Sequence, residues 1–150
     1  MPRSIRRLLA SAVLLLLVGA GCGRSVPPPK STPGAPVASE AVERFLRLAA
    51  QRDYVEMGYI FGTKQGPIIQ RDPPADVERR MFAMARVLEN ERFEIRGENP
   101  VPGSVGASVR VDVRLHNRGR TYNVPFTTVR GPRDRWYVEQ VALEAITGAR

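Results

Sequence analysis

From Ser39 onward the hydrophobic positions follow two different periods. Val42, Phe45, Leu46 and Ala49 recur at helical spacing, with Glu43, Arg44 and Arg47 off that stripe. The spacing predicts a helix to about Gln51, capped by Ser39. Asp53-Tyr-Val-Glu56 has the form of a capping box. It opens a short helix carrying Val55, Tyr59 and Ile60, with Gly62 placed to end it. A loop is expected from Thr63 to Arg71. Asp72-Pro73 then opens a third helix, with Asp as cap and Pro at the first helical position. Val77, Met81, Met84, Ala85 and Leu88 form its apolar stripe.

After Asn90 the period becomes two. Phe93 and Ile95 alternate with Arg92, Glu94 and Arg96, and Pro100 to Gly103 reads as a turn. Val105, Ala107, Val109, Val111, Val113 and Leu115 then predict a long strand with one apolar face. Asn117-Arg-Gly119 is a hairpin loop. Thr121 to Arg130 is the next strand, with Tyr122, Val124, Phe126 and Thr128 on one face. Pro125 within it suits an edge or a bulge. Gly131 to Asp134 turns the chain into a last strand from Arg135 to Leu143, in which Trp136, Val138, Gln140 and Ala142 share a face. Helices first and strands last predict an α+β fold, with three N-terminal helices packed on a curved four-stranded antiparallel meander.

The segment before Ser39 has neither period. Arg3, Arg6 and Arg7 precede an apolar or small run from Leu8 to Cys22, which is 15 residues long. That suits the h-region of a signal peptide, about 7–15 residues, better than a membrane span of about 20. Gly19-Ala20-Gly21 leads into Cys22, the only cysteine. Residues 1 to 23 resemble the signal peptide and lipobox of bacterial lipoproteins, although Gly19 stands where that family usually has Leu. The resemblance implies that residues 1–21 are removed and that Cys22 becomes the lipidated first residue, carrying palmitate or a similar acyl chain. Gly23, which is not Asp, implies no retention at the inner membrane. A plain secretory signal cut near Ala20, or an uncleaved anchor, are the alternatives. Residues 22–38 are rich in proline and poor in apolar bulk, and read as a semi-extended tether. Residues 39–150 are then a single domain, large enough to bury a core.

Charge alters this picture little. The net charge is +8, but all 15 acidic residues lie at or after Glu40, behind five cations: Arg3, Arg6, Arg7, Arg24 and Lys30. The domain is therefore far less basic than the whole chain, and no RNA-binding motif is present, so nucleic acid is not an expected partner. Arg110, Arg114, Arg118, Arg120, Arg130, Arg133 and Arg135 can form a basic surface for anionic lipid or an acidic protein, or simply sit on the solvent face of the sheet.

Helices preceding a bent meander, with the Asp53 to Gly62 helix and a final Arg135-Trp-Tyr-Val-Glu139 strand, look like the nuclear transport factor 2-like superfamily. That resemblance implies a cone-shaped fold, found in secreted and lipid-anchored bacterial proteins. No residue set here matches the catalytic sets of the family's enzymes, so no activity follows from the fold. His116, the lone histidine, is read as a solvated hairpin residue, and no metal or cofactor is expected. Asp112 is either a buried acid inside the cone or a cross-strand partner of an arginine. Tyr54, Tyr59, Met84, Tyr122, Phe126 and Trp136 either line a pocket between helices and sheet or form the core itself. The expected function is that of a cell-envelope lipoprotein with a non-enzymatic binding or structural domain. The anchor is the membrane, through lipid on Cys22, and an envelope protein is a candidate partner. The alternative is binding or conversion of a small apolar molecule in the cone. The location implied is the periplasmic or outer-membrane side of a bacterial envelope, and a homo-oligomer is compatible with the fold.

Overall fold

The computed structural model describes residues 25–104 and 106–148; Cys22 and the signal segment lie outside them. The elements are α1 (Ala38–Gln51), α2 (Tyr54–Ile60), β1 (Gly62–Thr63), β2 (Gly66–Pro67), α3 (Pro74–Val87), β3 (Arg92–Pro100), β4 (Ser108–Asn117), β5 (Arg120–Arg130), β6 (Trp136–Val141) and α4 (Glu144–Thr147). β3 to β6 pair in chain order as one antiparallel sheet, and β1–β2 is a separate small hairpin. The class is α+β.

α1 lies across the sheet and buries Ala38, Ala41, Val42, Phe45, Leu46 and Ala49, the predicted stripe. Phe45 is fully buried, 5.8 Å from the Phe61 ring and 6.5 Å from Phe126. Burial of a side chain of this size contributes about 1.5–3 kcal/mol relative to exposure. Ser39 is not the cap. The helix begins two residues earlier than that cap would place it, with Val37 in the cap position, and the Ser39 amide donates to Glu98 Oε1 on β3 at 2.9 Å. A carboxylate from the sheet thus meets the positive end of the helix. α3 packs on α2 and α1 through Val77, Met81 and Ala85. Its cap also differs from expectation. Pro73 holds that position, Pro74 is the first helical residue, and Asp72 is drawn instead into an ion pair with Arg80.

The region between α2 and α3 is more structured than a loop. β1, β2 and a 3₁₀ turn at Ile68–Gln70 occupy it, and Ile68 and Ile69 are buried. α2 ends at Ile60, with Phe61 as its C-cap, so Gly62 belongs to β1 and not to the helix end.

The inner face of the sheet carries Val111, Val113 and Leu115 of β4 and Val124 and Phe126 of β5, all buried. β4 is shorter than the apolar alternation suggests. Ala107 and Ser108 are tied to the Ser104 carbonyl in a turn, so pairing starts only at Ser108. The β4–β5 connection is a two-residue turn with Arg118 and Gly119 both at positive φ. Pro125 lies on an interior strand, which edge-strand reasoning disfavours. Its carbonyl accepts from Ala142 N at 3.0 Å, so its missing N–H points to the side where β6 has already ended.

Two bulges bend the sheet, one at Arg96 in β3 and one at Glu139 in β6. The second bulge breaks the expected alternation of the last strand. Phe126 pairs with Val141 and Thr128 with Val138, so Val138 and Val141 share the inner face despite odd spacing. Tyr137 points the other way and is nevertheless buried, because the Gly34 and Gly131 backbones lie against its ring.

Candidate functional site

Among the described residues, the most connected polar cluster lies beneath residues 26–35, part of the segment read from sequence as a tether. This strap is held on the domain along its length. Val26 packs against the core. The Tyr59 hydroxyl donates to the Pro27 carbonyl. Lys30 N donates to Glu56 Oε1 at 2.7 Å, and Ser31 Oγ donates to Glu56 Oε2 at 3.5 Å. Gly34 N donates to the Tyr59 carbonyl at 3.0 Å. Ala35 and Trp136 exchange both backbone hydrogen bonds, at 2.9 and 2.8 Å.

Two guanidiniums close the clasp. Arg44, from α1, donates to the Thr32 and Gly34 carbonyls and to Ser31 Oγ. Arg135 donates to the Pro33 and Gly34 carbonyls at 3.2 and 2.7 Å. A segment too poor in apolar surface to fold alone is thereby ordered by its backbone carbonyls. Charged donors make these bonds stronger than neutral ones, about 1.5–3 kcal/mol each. Burial and the neighbouring Arg135 charge lower the pKa of Arg44, against the opposing pull of Glu40 and Glu56.

Glu56 is the key residue that sequence reasoning assigned to a different task. Asp53 does cap α2, accepting from Glu56 N at 3.3 Å. The Glu56 carboxylate does not reach back to complete the box. It is only 3 % exposed and turns to the strap. Burial, then the Glu56 charge, raises the Tyr59 pKa. Lys30 Nζ pairs with Asp53 Oδ2 at 2.5 Å on the outside of the clasp. The one sequence clue to this arrangement is Gly34, alone between Pro33 and Ala35 at a position where the chain must turn.

Of the six candidate pocket residues, Tyr54 alone borders the two surface concavities described below. Tyr59, Phe126 and Trp136 are buried, while Tyr54, Met84 and Tyr122 are half-buried against the core. Arg130 sits 5.1 Å over the Trp136 ring. Tyr54 meets Phe82 edge-on at 5.6 Å and borders two surface concavities. The first, of about 280 Å³, lies between the C-terminal ends of α1 and α3 and the β4–β5 hairpin. Several of its polar groups are already engaged: Arg86 with Glu89 at 3.4 Å, Asn117 Nδ2 with the Glu89 carbonyl, and Glu91 with the Arg118 amide. The second is a shallow, open depression beside the exposed Phe82.

On the outer face of the sheet, His116 is more enclosed than a solvated hairpin residue. Its Nε2 lies 3.2 Å from Glu94 Oε1 and its Nδ1 3.2 Å from Thr121 Oγ1. Partial burial raises the Glu94 pKa, but the His116 hydrogen bond and the charges of His116, Arg92 and Arg96 outweigh it, and the net shift is downward. Asp112 is on this outer face, paired with Arg110 at 3.0 Å and with Asn99 Nδ2 at 2.9 Å. Its arginine partner is two residues away on the same strand and its cross-strand hydrogen-bond partner is Asn99 on β3, so neither of the two expected placements, an acid inside the cone or a cross-strand arginine pair, describes it. Of the seven arginines expected to form a basic surface, Arg110 and Arg130 are held in ion pairs and Arg135 is committed to the strap. Among the described residues, no group of three or more His, Cys, Asp or Glu side chains is placed to hold a metal. No helix among them is long and apolar enough to cross a membrane. No family model matches the chain, and no curated protein matches its sequence.

Proposed function

We propose that this protein is a cell-envelope lipoprotein, anchored by lipid on Cys22, whose domain has the nuclear transport factor 2-like cone fold and serves as a binding or structural module. The observation that carries the reading is the order of residues 1 to 23: basic, apolar, small, then a single cysteine. Helices before a four-stranded meander bent by two bulges support the fold. The interior supports a module that does not act on a small molecule. A ligand within a cone would occupy the space between α1 and the sheet, and Phe45, Phe61, Phe126 and Met57 pack there. The periplasmic or outer-membrane side of the envelope, and a protein partner there, follow from the same reading.

Replacement of Cys22 tests it. Cys22→Ser in the full-length chain is expected to leave an unprocessed precursor and to remove acyl-chain mass from the N-terminal peptide. Unchanged processing and membrane fractionation would defeat the proposal.

A further inference from the structure

A proline-rich arm running free from Cys22 to Ala38 would span roughly 50 Å in a polyproline conformation. Such an arm would let the domain sample a deep layer above the membrane. The strap removes most of that reach. Chain and domain are already joined at Val26, which is packed against the core, and Pro27 and the residues from Lys30 to Ala35 are bonded to α1, α2, Arg135 or β6. Four residue steps separate Cys22 from Val26, at most about 14 Å of chain at full extension. The interfacial layer on one side of a bilayer is itself roughly 5–8 Å thick.

We infer that the domain is held flush against the bilayer, with the strap face in the headgroup layer: Pro27, Pro28, Pro29 and Lys30, with Asp53 beside them. The inference rests on the lipid reading of Cys22. These residues suit the place. The three prolines are exposed and carry no N–H to leave unsatisfied. The Lys30 side chain is 75 % exposed, so its ammonium can meet lipid phosphates without leaving Asp53. The partner is a phospholipid headgroup surface. The arrangement is rigid because a longer reach has to break the bonds to Glu56, Tyr59, Arg44 and Arg135 and uncover the edge of β6.

The test uses the processed, lipidated full chain in phosphatidylethanolamine–phosphatidylglycerol vesicles. Pro28→Cys carries a fluorophore, and headgroup-attached acceptors report proximity. A second version adds a fifteen-residue Gly-Ser insert between Ser25 and Val26, which lengthens the reach by roughly 20 Å. Strong energy transfer at position 28, largely lost on insertion, is the expected result. Weak transfer at position 28, or transfer unchanged by the insert, would overturn the inference while leaving the anchor intact. Mass spectrometry of the N-terminal peptide separates the two failures. A peptide without acyl chains removes the lipid reading, and the inference with it.

Discussion

Gly34→Ala is the most direct probe of the clasp. Gly34 adopts φ +68°, in the left-handed region. For an alanine that conformation costs about 1–2 kcal/mol. The new methyl would also lie 2.9 Å from Arg135 Cβ, 2.9 Å from the Tyr137 ring and 3.0 Å from the Trp136 carbonyl. The ring is buried and the carbonyl belongs to the sheet, so neither yields easily. Overpacking of this kind typically costs about 1–3 kcal/mol. Together the two effects predict a loss of about 2–5 kcal/mol if the strap stays docked. The loss cannot exceed the strap's own contribution, because beyond that point the strap lifts while the domain stays folded. Trp136 is the only tryptophan and pairs directly with Ala35, so its fluorescence reports on the strap during urea unfolding. Hydrogen exchange separates the two cases. Lifting accelerates exchange at the Ala35 and Trp136 amides and leaves the Val113 amide protected. A loss under about 0.5 kcal/mol, with the Ala35 and Trp136 amides as slow as before, would refute the reasoning, since both penalties would then be absent.

Two further perturbations probe the core and the clasp's titration. Trp136→Ala should destabilise by about 3–5 kcal/mol in chemical denaturation, read by circular dichroism; less than about 1 kcal/mol would contradict the packing of a ring only 7 % exposed. Burial raises the pKa of Tyr59, and of Tyr137 against the opposing charges of Arg133 and Arg135. Each raised group therefore stabilises the fold fully below the ordinary tyrosine pKa of about 10, and this stabilisation is lost as pH climbs through the raised value. Spectrophotometric titration should show late phenolate absorbance that Tyr59→Phe reduces, and strap release should accompany Tyr59 ionisation because a phenolate cannot donate to Pro27. Strap exchange that is indifferent to alkali would contradict that coupling.

The α+β order, the apolar stripes of α1 and α3 and the β4–β5 hairpin were legible because each arises from local periodicity. What escaped was decided by contacts distant in sequence. Ser39 could not be excluded as a cap without knowing that Glu98 arrives from β3. The bulge at Glu139 reverses a face without altering the composition of the strand, and so misassigned Val141. The strap is the clearest case. Its composition predicts a segment that does not order itself, and in the structure Arg44, Glu56, Tyr59 and Arg135 hold it from outside. Composition measures what a segment can bury, not which carbonyls a neighbour will bind. Of the aromatic and Met set, Tyr59, Phe126 and Trp136 are buried and the other three half-buried, a division that depends on neighbours the local pattern does not specify.

The bridge between Ala35 and Trp136 also has a consequence in time. It joins positions about a hundred residues apart, among the most non-local contacts in the molecule. Synthesis begins at the N-terminus, and the strap, although α1 and α2 can bind it early, lacks its partners Arg135 and Trp136 until β6 has followed the rest of the chain. Arrival of the last strand completes the clasp, so the order of residues along the chain places the full fastening of the strap among the last events of folding.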